Sequence, residues 1–377
     1  MNGELVTLSL CGDVMLGRGV DQILPHPGDP ALRETCTRDA GAYVELAEAA
    51  NGPVLAPVGF PWPWGDALQV LDEFAPDVRV LNLETAVTRC EEFDEDKGIH
   101  YRMNPANLSC LTAAWPDACV LANNHVLDFG RPGLEETLAS LDDAGLRAAG
   151  AGRDVSRARL PAVVPLRSGR RVLIFSMGAP CSGIPHGWAA TEALSGVHRL
   201  AELSDTAAAE VVRHMGELRR PGDLVVASVH WGSNWGYDIP QEQIRFAHAL
   251  IDGGVDAVHG HSSHHPRPIE IYRGKLVLYG CGDFIDDYEG IAGHDEYRDD
   301  LRLLYLVSLE ADTGRLAELR MAPFRARRMR LTSASAEDTE WIRGVLDGIS
   351  HEFGVRVTAG RDGVPTLAAA AAKAGQE

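Results

Sequence analysis

Residues 6–13 read Val6-Thr7-Leu8-Ser9-Leu10-Cys11-Gly12-Asp13, an apolar run that stops at a glycine and an aspartate. A run closed this way has the pattern of a buried strand with a polar residue at its C-terminal end, where α/β folds place their sites. The pattern recurs. Val78 to Leu83 stops at Glu84, Ala118 to Ala122 at Asn123-Asn124-His125, and Leu224 to Val229 at His230-Trp231-Gly232, while Val172 to Met177 adds a further strand. Helical patterns lie between them: Gly133 to Ala144, Leu203 to Arg219 and Gln241 to Asp252, each with apolar residues three and four apart. Strands alternating with helices predict an α/β layered core.

Beyond residue 265 the texture turns antiparallel. Ile269 to Tyr272 and Leu276 to Tyr279 flank Arg273-Gly274-Lys275, and Leu303 to Leu309 and Leu319 to Pro323 flank Asp312-Thr313-Gly314, each set reading as a hairpin. A terminal helix is expected near Trp341 to Phe353, with Ala368 to Glu377 as a frayed tail. Arg18 to Trp64, rich in Gly and Pro, reads as an insertion loop beside the site. The expected organisation is one domain over residues 1–330 and a C-terminal helix and tail over 331–377.

With 377 residues, 45% apolar and 24% charged, the chain has the composition of a globular protein. Its formal charge of -19 opposes nucleic acid and anionic lipid, so no nucleic-acid partner is expected. An anionic substrate would need placed Arg or Lys side chains, or metal. No basic segment precedes an apolar run and cleavage site at the N-terminus, and no apolar run is long enough to span a membrane, so the expectation is a cytoplasmic protein without membrane insertion. Seven scattered cysteines without a CxxC fit reduced, buried thiols. The oligomeric state is not legible.

The strand-end residues, taken with the cluster Val258-His259-Gly260-His261-Ser262-Ser263-His264-His265, are Asp13, Glu84, Asn124, His125, His230, His261 and His264. Carboxylate, amide oxygen and imidazole are the donors preferred by zinc, manganese or iron, and the absence of nearby cysteine argues against a structural zinc site. The set points to a catalytic metal centre. Asn124 and Asp128 would also suit a helix start.

Five ordered motifs carry a family resemblance: Gly12-Asp13-Val14-Met15-Leu16-Gly17-Arg18, Leu81-Asn82-Leu83-Glu84, Ala122-Asn123-Asn124-His125-Val126-Leu127-Asp128-Phe129-Gly130, His230-Trp231-Gly232 and Gly260-His261-Ser262-Ser263-His264. Together they resemble the CapA family, named for a poly-γ-glutamate capsule synthesis protein, within the calcineurin-like metallophosphoesterase superfamily. The resemblance implies a four-layer α/β/β/α sandwich. It also implies Asp13 and His264 on a first metal, Glu84 as the bridging ligand, and Asn124, His230 and His261 on a second, with His125 as the catalytic histidine. Two departures stand out: Met15 replaces the usual second ligand of the first motif, and His261-x-x-His264 replaces Gly-His-x-His. A thioether is a poor ligand for a hard divalent ion, so one or two ions are both open.

Around this set, Arg18, Lys97, His100 and Arg102 are candidate substrate binders for carboxylate or phosphate. Asp128, His259, His265 and Asp283 are expected to support the ligands, Asp283 standing where CapA proteins commonly have Asn. The implied function is a divalent-metal-dependent hydrolase acting on a phosphoester or amide through metal-bound hydroxide, with a small or polymeric anionic substrate. The alternative is a metal-binding accessory or transfer protein for a γ-glutamyl polymer. A ligase is the third reading, disfavoured because no GxxxxGK[ST] loop occurs.

Overall fold

Leu8 and Leu10 point to one side of their strand, and Val172 and Ile174 on a second sheet point back at them; this inter-sheet core decides the architecture. The computed structural model describes residues 4–368, so all but the first residue of the expected tail lies outside the described residues. Sheet one begins with parallel β1 (Leu5–Val14), β2 (Val78–Leu83), β3 (Ala118–Val120) and β4 (Arg147–Ala149). Sheet two holds β5 (Ala162–Pro165), β6 (Arg171–Gly178), β7 (Leu224–His230), β8 (Ala257–His261), β9 (Ile269–Tyr272) and β10 (Lys275–Leu278), in the order β9-β10-β8-β7-β6-β5. Its four central strands are parallel and its edges antiparallel.

The chain then returns to sheet one. There β11 (Asp283–Ile285) lies parallel to the end of β1, and β12 (Leu301–Glu310) runs antiparallel along it. The sheet continues through β13 (Leu316–Ala326), which pairs with β14 (Leu331–Ser333) and, later, with β16 (Pro365–Ala368), itself paired with β15 (Thr358–Ala359). The two hairpins expected after residue 265 both form, each longer or shifted by one to three residues.

Period-two alternation gives each sheet a second apolar face, and helices cover it. Over sheet one lie α1 (Arg18–Ile23), α2 (Gly41–Asn51), α3 (Ala67–Phe74) and α4 (Gly130–Asp143), burying Val20, Ala47, Leu71 and Leu134 against Leu81 and Leu83. Over sheet two lie α5 (Asp205–Leu218) and α6 (Gln241–Asp252), burying Val211 and Leu250 against Phe175 and Val225. Each such Leu or Val contributes about 1.5–3 kcal/mol. Helix α7 (Ala336–Ser350) sends Ile342 and Leu346 into the inter-sheet core. The result is the expected four-layer α/β/β/α sandwich.

The segment 18–64 departs from the expected loop, because it carries α1 and α2. Glycine and proline at its ends masked an Ala/Glu/Leu-rich stretch with strong helix propensity. Of the seven cysteines, Cys11, Cys110, Cys119 and Cys281 are buried free thiols, whereas Cys36 and Cys181 are exposed and Cys90 is half-buried, against the expectation that all are buried. Among the described residues no helix is long and apolar enough to cross a membrane.

Candidate metal centre

Period two carries the inter-sheet face of each strand outward until its apolar residues end. On β7 the same face holds Leu224, Val226, Ser228 and His230; on β8 it holds Ala257, His259 and His261. On β1 the alternation would turn Asp13 the other way. A bulge at Gly12 corrects it: the β1–β2 register slips between Cys11 and Asp13, and Asp13 pairs with Asn82 on the parity of Val78 and Val80. Gly12 packs so closely on β11 that a Cβ would lie 1.7 Å from the Gly282 carbonyl oxygen. That approach sets Asp283 beside Asp13, with the Asp13 N–H donating to Gly282 O at 3.1 Å.

Two triads of ligand atoms result, Asp13–His230–His261 and Asp13–His264–Asp283, each with all atoms within 4.8 Å of one another. Asp13 is common to both. Its Oδ1 accepts from Asn82 Nδ2 (2.7 Å), while its Oδ2 is buried without a hydrogen-bond partner among the described residues. Burial first, and the Asp283 charge second, raise its pKa to about 7. Burial, then Asp13, also pushes the Glu84 carboxyl well up. His264 Nδ1 donates to Asp283 (2.9 and 3.1 Å).

The proton positions in the histidine relay follow from its end. The Cys11 carbonyl only accepts, so His259 donates through Nε2 (2.9 Å) and must accept at Nδ1. Ser228 therefore gives its single proton to His259 Nδ1 (3.1 Å) and accepts from His261 Nε2 (2.8 Å). His261 Nδ1 is left bare, 2.8 Å from Nδ1 of His230. His230 donates through Nε2 to Asn124 Oδ1 (3.0 Å), so its Nδ1 is bare as well. Burial above all holds both rings well below the usual histidine range, so neither takes up a proton.

Two lone pairs facing each other beside an unpaired carboxylate oxygen repel unless a cation shares them. The donors, carboxylate oxygen and neutral imidazole nitrogen, fit manganese, zinc or iron. Glu84 and Asn124 belong to neither triad. Glu84 Oε2 accepts from Asn82 (2.8 Å), and its Oε1 lies 3.8 Å from His230 and 4.0 Å from His125.

His125 stands at the rim. Its Nδ1 donates to Asp128 Oδ2 (2.6 Å), and Asp128 also accepts from the Tyr101 N–H (2.8 Å) and from Lys97 (2.5 Å). Burial, outweighing Asp128, lowers the His125 pKa to about 4. Lys97 is thereby spent on Asp128 and the Asn124 carbonyl.

The other expected substrate binders lie outside the cluster. Arg18 is buried in ion pairs with Glu34 (2.8 Å) and Asp287, its guanidinium over the Tyr43 and Tyr101 rings. His100 is buried and meets the Asp94 carbonyl at 2.7 Å. Among the described residues Arg102 bonds only backbone carbonyls, those of Cys90 and Asp29. With His100 it borders a cavity of about 180 Å³ that also exposes Arg33. His265 bonds the Pro266 carbonyl and stacks on Trp235 and Tyr297.

Sequence reasoning assigned no role to Asn82, Asn123, Ser228, Tyr101 or Tyr288. Asn123 bonds Asn82 (3.0 Å) and accepts from the His125 N–H (3.1 Å), fixing the turn that presents His125. Tyr101 packs on His125 at 4.2 Å between ring centroids, and its hydroxyl meets that of Tyr288. The available signal was parity: an amide or hydroxyl on the apolar face of a buried strand needs a partner.

Residues 7–288 match the family model of the bacterial capsule synthesis protein PGA_cap. The chain belongs to that family. A probable polyglutamine synthesis accessory protein of Mycobacterium tuberculosis is 52% identical over 375 residues, covering 98% of each chain. The PGA biosynthesis protein CapA of Bacillus subtilis is 27% identical over 287 residues, 75% of this chain and 64% of that one. A solved structure described as a novel phosphatase of Mycoplasma pneumoniae overlays with a TM-score of 0.44 at 12% identity, over 86% of this chain and 94% of that one. The PGA_cap match contains both triads and His125, and stops before β12.

Proposed function

We propose that this PGA_cap protein is a divalent-metal-dependent hydrolase of a phosphoester or amide bond in an anionic substrate, a poly-γ-glutamate or related polymer being the candidate. The observation that carries the reading is the pair of bare imidazole nitrogens at 2.8 Å beside the unpaired Asp13 oxygen. His230, His261 and Asp13 would hold one ion; Asp13, His264 and Asp283 would hold another, with Asp283 making up for the ligand lost at Met15. Such ions supply Lewis acidity and make water acidic enough to attack at neutral pH.

His125, its Nδ1–H fixed by Asp128, presents Nε2 as the nitrogen that exchanges a proton with the leaving atom. Lys97 holds Asp128 in place. Arg33 and Arg102 support an anionic substrate, since each lies over a phenyl ring, Phe93 and Phe129, without an ion pair among the described residues. The name of the Mycobacterium tuberculosis relative favours a second reading, an accessory protein that holds polymer carboxylates on the same ions without cleaving them.

Metal content by plasma mass spectrometry, measured beside turnover of a generic phosphoester with manganese, tests both. The hydrolase reading expects about two ions per chain, one of them lost in Asp283→Asn, and turnover lost in His125→Ala with metal kept. Metal and polymer binding with no turnover supports the accessory reading. A chain that takes up no metal under any reconstitution sinks both.

A further inference from the structure

A second cavity of about 180 Å³ opens on the far side of sheet two, between β6 and α5. Phe175 and Met177 of β6 and Met215 of α5 form its apolar part, and these belong to the outer core, so the sheet separates the cavity from the inward-facing His230. Its remaining wall is basic: the guanidinium groups of Arg159, Arg199 and Arg213 and the imidazoles of His198 and His214 against a single carboxylate, Glu210. In a chain with a formal charge of -19, such a concentration of positive groups needs a reason.

Ion pairing compensates part of this wall, where Arg213 and His214 face Glu217, and leaves Arg159 and Arg199 without a carboxylate among the described residues. Arg213 pairs with Glu217 at 2.6 Å. Arg199 bonds only the carbonyls of Ile184 (3.1 Å) and Leu200 (3.2 Å), and neither it nor Arg159 makes an ion pair with a carboxylate among the described residues. Burial lowers the Arg199 pKa, with no opposing carboxylate to restore it. His198 donates through Nδ1 to the Ser176 carbonyl (3.1 Å), which leaves Nε2 bare and able to donate to an anion once the ring takes up a proton. Burial first, and the Arg159 charge next, hold His198 at about 4. A half-buried guanidinium and imidazole on an apolar floor suit an oxyanion with a hydrocarbon body. The space far exceeds the roughly 10–15 Å³ that one water needs.

We propose that this cavity binds a small organic anion, its phosphate or carboxylate head held by Arg159, Arg199 and His198 and its apolar body against Met177 and Met215. The site is distinct from the metal centre and independent of its chemistry. It adjoins that centre through the backbone: Leu200 N–H donates to Gly178 O, and Ala179 N–H to His230 O, each at 2.8 Å.

The test is a titration of the full chain with butyl phosphate, butyrate and inorganic phosphate, followed by NMR of the His198 ring. A saturable shift of that ring with either organic anion, and a rise of its pKa on binding, is the expected result. Saturation by the phosphate ester assigns a phosphate head, and saturation by butyrate a carboxylate. Arg159→Gln weakens binding by about tenfold, as expected for one charge-assisted bond. Arg159 is exposed and makes no side-chain hydrogen bond among the described residues, so this variant folds; Arg167→Gln, at an exposed arginine outside the cavity, leaves the titration unchanged. No saturable His198 shift with any of the three anions overturns the proposal. So does a shift that survives both Arg159→Gln and Arg199→Gln.

Discussion

A methyl group at position 12 would overlap the Gly282 carbonyl, and the overlap falls on backbone that cannot rotate aside. Gly12 thus does two things at once: it provides the bulge that turns Asp13 inward and the close approach that brings Asp283 alongside. Substituting Gly12→Ala is expected to cost about 3 kcal/mol, the upper end for overpacking a filled interior. It should also separate Asp13 from Asp283. A urea titration paired with metal content reads both effects. Unchanged stability with unchanged metal would mean that β11 moves freely against β1. Four of the residues that meet in the triads, Asp13, His230, His261 and His264, were legible as residue types at strand ends. Asp283 was not legible as a ligand, because its partner Asp13 lies 270 positions away and only the β1–β11 pairing, with no sequence period of its own, joins them.

At the scale of elements, α7 shows how the end of the described chain is fixed. Ser335 caps the helix by accepting from the Asp338 N–H (3.1 Å), while Asp338 accepts from Arg298 (2.7 Å) next to β12. That bond from Arg298 is the leading cause that holds the Asp338 carboxyl below its usual 3.8. A depressed carboxylate contributes stability above its unfolded pKa and loses it as pH falls through the folded one. Asp338→Asn should therefore cost about 1 kcal/mol at neutral pH, and the gap between parent and variant should close below pH 3.8. Thermal melts from pH 7 to pH 3 measure it, and a gap independent of pH would show that the Arg298 bond contributes nothing. The helix itself was readable from its apolar spacing near Trp341, and Gln241 to Asp252 was readable to the residue. The α1–α2 segment was obscured by its glycines and prolines. The Ser228–His259–His261 relay depends on which strands become neighbours, and that is settled by packing between sheets.

For the whole molecule, the decisive feature is that the candidate metal ligands come from both sheets. Asp13 and Asp283 belong to sheet one, while His230, His261 and the turn bearing His264 belong to sheet two. The apolar contacts of the inter-sheet core hold the layers together along most of their length, but at the strand ends polar groups replace them. There the chain gathers Asp13, Glu84 and Asp283, carboxylates whose mutual repulsion opposes closure of the gap. Cations bound to both triads would offset that repulsion and tie one sheet to the other. Removing them should therefore lower the global unfolding transition, since the sheets share one core and cannot open separately. By mass action, free metal at a hundred times its Kd adds about 2.7 kcal/mol, so melting with a chelator and again with restored manganese should differ by that order. In Asp13→Ala, which lacks the shared ligand, chelator and manganese should leave the melt unchanged. A parent protein that loses its metal while keeping its melting temperature would mean that packing alone closes the sheets and that the ions serve chemistry only.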